Sequence, residues 1–539
     1  MSIKEKIKNT LIFKTPVSNS DFVLEENTNI INYDVRQEED EKTLYISKNY
    51  EKNLAYFEKL FSYPENNDVV IRKLTIFHNT KAFLIFYDGM VSSNFIDFAL
   101  IKPLLEIPQF ADKVNCDDVF KRVISHNQTV ELNKIEDITD DINFGNCVLF
   151  VDGHDMCYSL DVRDWEHRSI EKPETEQSLY GPQEAFSEML RTNSALVRKI
   201  LKTEKLICKS TKIGKVSRTR GVIMYIEDIA NPELIEEVRR RIDGITTEYI
   251  FSIEDVSLLI EEKTYMFTNT ILTTERPDRT ARMLAEGRVA LILNGSPKAL
   301  IFPTNAFELM HSASDAYMRY PYANMTRIIR IIAMLITLLL PAMYLAITLY
   351  HQEMIPTFLA YAISAARENV PFPSIIELLI MDLSFELIRE AGIRMPGVIG
   401  STLGIVGGLI LGQAAVSAKI VSPLMIIIIA ITGIGSFATP DYSLGWSYRI
   451  LRLIFIILAT MFGFFGVAAG IFIYAVLLGS KISFGVPFLS PMFGNKHEMS
   501  NSLFVSPIWK KEKRPSFLSV KKENQEPHIS RKWKFGKKK

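Results

Sequence analysis

The residues best placed to do chemistry in this chain are carboxylates in an unusual setting. In "SIIELLIMDLSFELIREAG", residues 374–392, Glu377, Asp382, Glu386 and Glu390 interrupt an otherwise apolar stretch. Carboxylates arrayed along a path favour cations over anions by plain electrostatics. One that faces lipid costs at least about 2.5 kcal/mol on insertion scales, so these groups must reach water or headgroups. In a helix, Asp382, Glu386, Arg389 and Glu390 fall within about a third of the circumference, and Glu377 and Ser384 fall on the other side. The segment therefore either lies at a membrane interface with its acidic stripe in headgroups, or lines an aqueous path. The interfacial placement accounts least well for Glu377, which sits in the apolar face. Glu377, Asp382 and Glu386 are the candidate ion-path or gating residues.

Nothing else in the 539 residues has a catalytic pattern. There is no phosphate loop, no G-x-S-x-G elbow and no H-E-x-x-H, so no catalytic residue, cofactor site or metal centre is expected. Asp152, His154 and Cys157 stand close together, but their spacing matches no strong ligand pattern. Cys116, Cys147, Cys157 and Cys208 read as reduced thiols of a cytoplasmic region. Glu227, Asp228 and Glu233, around the "IEDIANPE" turn, are ordinary helix-entry carboxylates.

The elements that must hold the acidic segment are apolar. Runs 331–350, 397–418, 420–440 and 453–480 contain no charged residue. Each is about 20 residues or longer, enough to cross a hydrocarbon layer of roughly 30 Å. The first contains Pro341, a candidate hinge because proline removes a backbone hydrogen bond. In the second, Gly400, Gly404, Gly408 and Gly412 recur every fourth residue, a ridge that lets another helix approach closely. Residues 355–392 between them read as interfacial or re-entrant. That gives four crossings, or six if both short segments cross, and an even number either way.

Orientation follows from charge. Arg327 and Arg330 precede the first run, and the tail 496–539 carries 13 Lys or Arg against 4 Asp or Glu. By the positive-inside rule both ends lie in the cytoplasm, and the N-terminus lacks the apolar core of a secretory signal. The tail is expected against anionic headgroups, with no nucleic acid as partner.

The front of the chain repeats. "KAFLIFYDGMVSSNFIDFALIKPLL" at 81–105 is similar to "TRGVIMYIEDIANPELIEEVRRRI" at 219–242, each an apolar strand, an acidic turn and an amphipathic helix. "NCVLFVDGHDMCYSLDV" at 146–162 is similar to "RVALILNGSPKALIFP" at 288–303, with Asp152-Gly153 and Asn294-Gly295 at the tight turn of a hairpin. The expected fold is an α+β soluble region of two similar α/β subdomains followed by an α-helical polytopic membrane domain. Its boundaries are an arm 1–62, subdomains 63–165 and 183–305 joined by a linker 166–182, a connector 306–330, the membrane domain 331–495 and the basic tail 496–539.

These segments resemble a known family. "IEDIANPELIEEVRRRI", "TTERPDRTARMLAEGRVALILNGSPKALIFP", "EMIPTFLAYAISAARENVPFPSIIELLIMDLSFELIREAGIRMPGVIGSTLGIVGGLILGQAAV" and "SFGVPFLSPM" look like the A subunits of bacterial spore germinant receptors, the GerA family, from about Tyr180 to Met492. The resemblance implies a non-enzymatic subunit in the inner membrane of the spore, beside a transporter-like B subunit and a lipoprotein C subunit. It further implies a homo-oligomeric ring that releases monovalent cations when nutrients are sensed. A non-conducting scaffold and an ion-coupled transporter component stay open as alternatives.

Overall fold

Strands whose successive side chains enter cores on opposite faces of a sheet build the first half of the molecule. In the computed structural model, which describes residues 24, 44–76, 80–106, 129–162, 172–263, 267–394, 398–493, 502–511 and 513–525, β1 (Val69–Ile76), β2 (Thr80–Tyr87), β3 (Thr129–Leu132), β4 (Cys147–Val151) and β5 (Cys157–Leu160) form an antiparallel sheet of order β1-β2-β4-β5-β3. A second sheet has the corresponding order β6-β7-β9-β10-β8, from β6 (Leu206–Ile213), β7 (Thr219–Ile226), β8 (Leu272–Thr274), β9 (Val289–Leu293) and β10 (Ala299–Phe302). The central strands β4 and β9 are apolar at every position because both faces are covered. Val148 and Phe150 enter one core with α1 (Tyr50–Leu60) and α2 (Ile135–Phe144), while Cys147, Leu149 and Val151 enter another.

The second sheet is layered likewise. Val289, Leu291 and Leu293 pack under α4 (Pro232–Asp243) and α5 (Ile253–Ile260), and Ala290 and Ile292 face α3 (Leu190–Ile200) and α6 (Pro277–Ala285). The two subdomains are joined by Arg198 of α3. Its guanidinium donates to Asp68 at 2.8 Å and to the Leu206 carbonyl at 2.7 Å, and stacks 4.0 Å from the Tyr87 ring centroid.

Helices α7 (Tyr320–Tyr350), α8 (Thr357–Arg367), α9 (Ser374–Arg394), α10 (Val398–Ser417), α11 (Pro423–Phe437) and α12 (Tyr442–Gly479) follow. Among the described residues, α7 and α12 are the two helices long and apolar enough to cross a membrane. Met334, Leu338, Tyr448, Leu451 and Phe455 of these two continue the same core as β7, β9 and β10, so the bundle grows directly out of the second sheet. Contacts set the directions. Thr337, near the sheet end of α7, meets the Thr432 carbonyl, and Tyr344, further along, meets Met425, so α11 runs back toward the sheets. Helix α9 runs the same way, with Glu377 beside Ser422 and Arg389 beside Ser436.

Three features differ from the expectation. The last apolar run is not one span: Gly463 has φ 59° and ψ −138°, a left-handed conformation suited to glycine. A methyl on Gly470 would meet Phe455 and Leu458, residues that one straight helix would hold roughly 20 Å away. Thus α12 folds into two antiparallel halves, and both ends reach one loop, Ser447 through the Phe267 carbonyl and Lys481 through the Thr268 carbonyl. Secondly, within 355–392 only α8 stands apart, with no buried residue, whereas α9 runs along the bundle. Thirdly, the tail folds back on the second subdomain. Lys521 N–H donates to the Ile229 carbonyl at 3.0 Å, Arg514 to the Ala285 carbonyl at 2.8 Å, and Leu518 is fully buried.

Candidate functional site

Helix α9 is built of good helix formers, and its acidic face finds its partners on α12. Arg452, only 1% exposed, donates to Asp382 at 2.7 Å and to Glu386 at 3.0 Å. Arg389, one turn beyond Glu386 on α9, pairs with the same Glu386 and reaches Ser436 of α11 at 3.4 Å. Asp382 is 4% exposed. Two carboxylates thus share one guanidinium nitrogen of Arg452, whose Nε has no hydrogen-bond partner. Charge-assisted hydrogen bonds of this kind satisfy buried ions, and an unpaired buried ion would cost several kcal/mol, about 3–5 on removal of one partner.

Glu377 belongs to a different cluster. It is fully buried, and one oxygen accepts the Ser422 N–H at 2.5 Å, which places its negative charge at the N-terminus of α11. Its other oxygen lies 4.0 Å from the Arg367 guanidinium of α8 and has no hydrogen-bond partner. Tyr344 Oη, Arg367 Nε and Ser374 Oγ, close to it, are also buried without one. Glu377 does not join Asp382 and Glu386, since it faces α7, α8 and α11 while they face α12.

The other candidate residues are placed as follows. Pro341 is buried within α7, which continues through it to Tyr350. Along α10, a methyl at Gly412 would meet only Ile426 at 3.8 Å and one at Gly408 would meet nothing within 4 Å; the surroundings of Gly400 and Gly404 lie outside the described residues. Close glycine packing occurs elsewhere, at Gly433 under the Phe385 ring and at Gly435 against Ala333. Asp152 accepts the Tyr50 N–H at 3.1 Å and Cys157 is buried under the Leu132 carbonyl, burial pushing its thiol well up. No group of His, Cys, Asp and Glu that could hold a metal occurs among the described residues.

Arg452 and Arg449 were not singled out from the sequence. The available signal was their position: two arginines three residues apart in α12, immediately before a long uncharged run, where a cation needs a carboxylate partner.

The family model described as Bacillus/Clostridium GerA spore germination protein matches residues 55–517. The chain is 38% identical to Spore germination protein KA of Bacillus subtilis (strain 168), over 91% of this chain and 90% of that one. It is 35% identical to Spore germination protein GerLA of Bacillus cereus (86% and 94%) and 36% identical to Uncharacterized membrane protein YfkQ of Bacillus subtilis (90% and 94%). Among solved structures, it matches the N-terminal domain of the A subunit of the Bacillus megaterium spore germinant receptor GerK3 at 27% identity and TM-score 0.37, over 48% of this chain and 96% of that one.

Proposed function

The chain belongs to the GerA family of spore germination proteins, and from that premise we propose that it is a membrane subunit of a nutrient-sensing germinant receptor that oligomerises and gates release of monovalent cations. Its partners are the transporter-like B and lipoprotein C subunits, its place is the inner membrane of the spore with both termini inside, and it is not an enzyme. In this reading the bundle of α7, α9, α10, α11 and the two halves of α12 lies in the bilayer with an even number of crossings, four or six, and α8 lies at the far surface.

The observation that carries the gating part is the sharing of Arg452 between Asp382 and Glu386. Paired to arginine, the two carboxylates offer nothing to a passing cation. Moving α9 against α12 exposes them to an aqueous path and turns the same side chains into cation ligands. Driving such a two-state element from 1:99 to 99:1 takes about 5.5 kcal/mol of differential binding, which nutrient occupancy in a partner subunit supplies.

The same pairing favours a second reading, a non-conducting scaffold in which Arg452 is a strut. Ion flux through the reconstituted receptor separates them. Gating predicts that Arg452→Gln raises resting cation leak and that Asp382→Asn with Glu386→Gln lowers nutrient-triggered flux. Unchanged flux in both variants leaves the scaffold.

A further inference from the structure

Two exposed patches, one in each subdomain, are alike in composition and opposite in charge. The first is the tip of the β6–β7 hairpin. Lys212, Lys215, Arg218 and Arg220 are exposed there, and none of the four is ion-paired with another described residue, whereas Lys205 and Lys298 of the same subdomain pair with Asp228 and Glu254. The tip is fastened to the loop ahead of α5: the Lys215 N–H donates to the Thr247 carbonyl at 3.0 Å and the Val216 N–H to that of Glu248 at 2.9 Å. That loop sets Tyr249 and Phe251 side by side, ring planes 7° apart, with Phe251 84% exposed. Aromatic rings left in water beside uncommitted arginines are what the core of a protein interface is made of.

The second patch is the β3 edge of the first sheet. Leu44, Tyr45 and Val130 are each more than half exposed, and α2, which follows β3, presents Glu136, Asp137 and Asp140 to solvent with no ion pair to another described residue. Main-chain contacts hold this patch together, since Tyr45 forms a β-bridge with Lys134 and the Ile135 N–H donates to the Leu44 carbonyl at 3.0 Å. The counterpart edge of the second sheet, β8, is covered instead. Its Leu272 and Thr274 are buried, and the Thr274 hydroxyl donates to Glu176 of the linker.

One chain does not bring its own two patches together. The subdomains meet where Cys208 and Ser210 of β6 donate their N–H groups to the side chains of Asn66 and Asn67, just ahead of β1. In that sheet β3 lies four strands beyond β1, roughly 19 Å away. We propose that the β6–β7 tip of one copy docks on the β3–α2 edge of a second copy, cations against carboxylates, and Tyr249 with Phe251 against Tyr45 and Val130. This rests on the oligomer reading above and gives it a contact outside the bundle. A head-to-tail contact leaves one tip and one edge open, so it repeats from copy to copy until a ring closes. Opposite charge on the two patches fixes the register and makes association weaken with salt.

The test is charge reversal in the full detergent-solubilised chain, with oligomer size read by native mass spectrometry across dilution and salt. The wild-type oligomer dissociates more readily as salt rises. Lys215→Glu with Arg218→Glu sets acid against acid, Glu136→Lys with Asp140→Lys sets base against base, and each pair raises the concentration of half-dissociation about tenfold. The chain carrying all four substitutions assembles as the wild type does, because the exchanged patches attract again. Phe251→Ser loosens assembly with no change in charge. All five positions are exposed, so melting stays at the wild-type temperature. Assembly untouched by both reversals, or weakened by each and not restored by the four together, overturns the contact and leaves the oligomer reading standing. Assembly untouched by the tip reversal, with loss of binding to phosphatidylglycerol vesicles, overturns it by giving the tip to lipid. A wild-type chain that is monomeric at every concentration overturns the oligomer reading and the contact with it.

Discussion

Two buried arginines, one in each half of the molecule, hold carboxylates in opposite ways. In the sheet half, Arg288 is fully buried and grips both oxygens of Glu308, one at 2.6 Å, while Asn305 adds a side-chain donor at 3.0 Å. Glu308 is saturated with donors, and the pair ties β9 to the chain entering α7. In the bundle, Arg452 offers one nitrogen to two carboxylates on another helix, whereas the Nε atoms of Arg288 and Arg452 alike are buried without a hydrogen-bond partner, so the difference lies on the carboxylate side. A saturated pair has one good geometry; an undersupplied one has alternatives. The first arrangement suits a strut and the second suits an element that changes partner, which is why the gating proposal rests on Arg452 and not on the more deeply saturated Arg288.

Removing each arginine sharpens that contrast. Arg288→Met leaves Glu308 charged, buried and short of its main donor, and should cost about 3–5 kcal/mol. The measurement is thermal unfolding of the detergent-solubilised chain, where a loss of folded protein is the expected extreme. Arg452→Met should cost the low end of that range, about 3 kcal/mol, because Arg389 still pairs with Glu386 and only Asp382 is stranded. If Arg452→Met destabilises as much as Arg288→Met, the bundle pair is a strut too. A modest melting shift with altered resting flux is the outcome expected of a switch.

The junction between the halves carries a titrating group of its own. Lys481 reaches the Thr268 carbonyl, and burial, assisted by Lys263 and opposed by Glu261, holds its ammonium down at about 8. With the folded value below the ordinary 10.5, the unfolded chain binds more protons between about pH 8 and 10.5. Stability therefore rises with pH across that window, and below it the full cost of the buried charge is present. Melting curves across the window should show the rise in wild type and lose it in Lys481→Met. A parallel rise in both would assign it to other groups.

How much of this was legible in the sequence follows from the range of the interactions involved. The repeat was legible because strand period and hairpin turn residues are local: "VLFVDG" and "ALILNG" carry the β4–β5 and β9–β10 hairpins within a few residues each. The carboxylates of α9 were legible as anomalies, but their partner was not. Arg452 lies 66 residues from Glu386, and periodicity on one helix says nothing of which helix faces it. The doubling back of α12 was hidden because Gly463 is one of four glycines in the run 453–480, and only tertiary contact selects the one that turns. The folded-back tail was hidden for the same reason, its bonds to the second subdomain spanning 229 to 294 residues.

The glycine ridge gives the smallest predicted effect on the single chain and the sharpest test of which contacts lie outside it. Gly408 faces open space and Gly412 only an ordinary contact with Ile426, so neither position is closely packed within one copy. Gly408→Ala should therefore stabilise slightly, by up to about 1 kcal/mol, since alanine is the better helix former and its methyl meets nothing. A ridge that serves packing within the chain would behave as Gly433 or Gly435 must, where a methyl collides with Phe385 or Ala333. If the ridge instead seats a neighbouring copy, Gly408→Leu dissociates the oligomer in native mass spectrometry while melting of the dissociated chain stays put. An oligomer that survives Gly408→Leu moves the subunit contact off α10, and with it any pore lined by that helix.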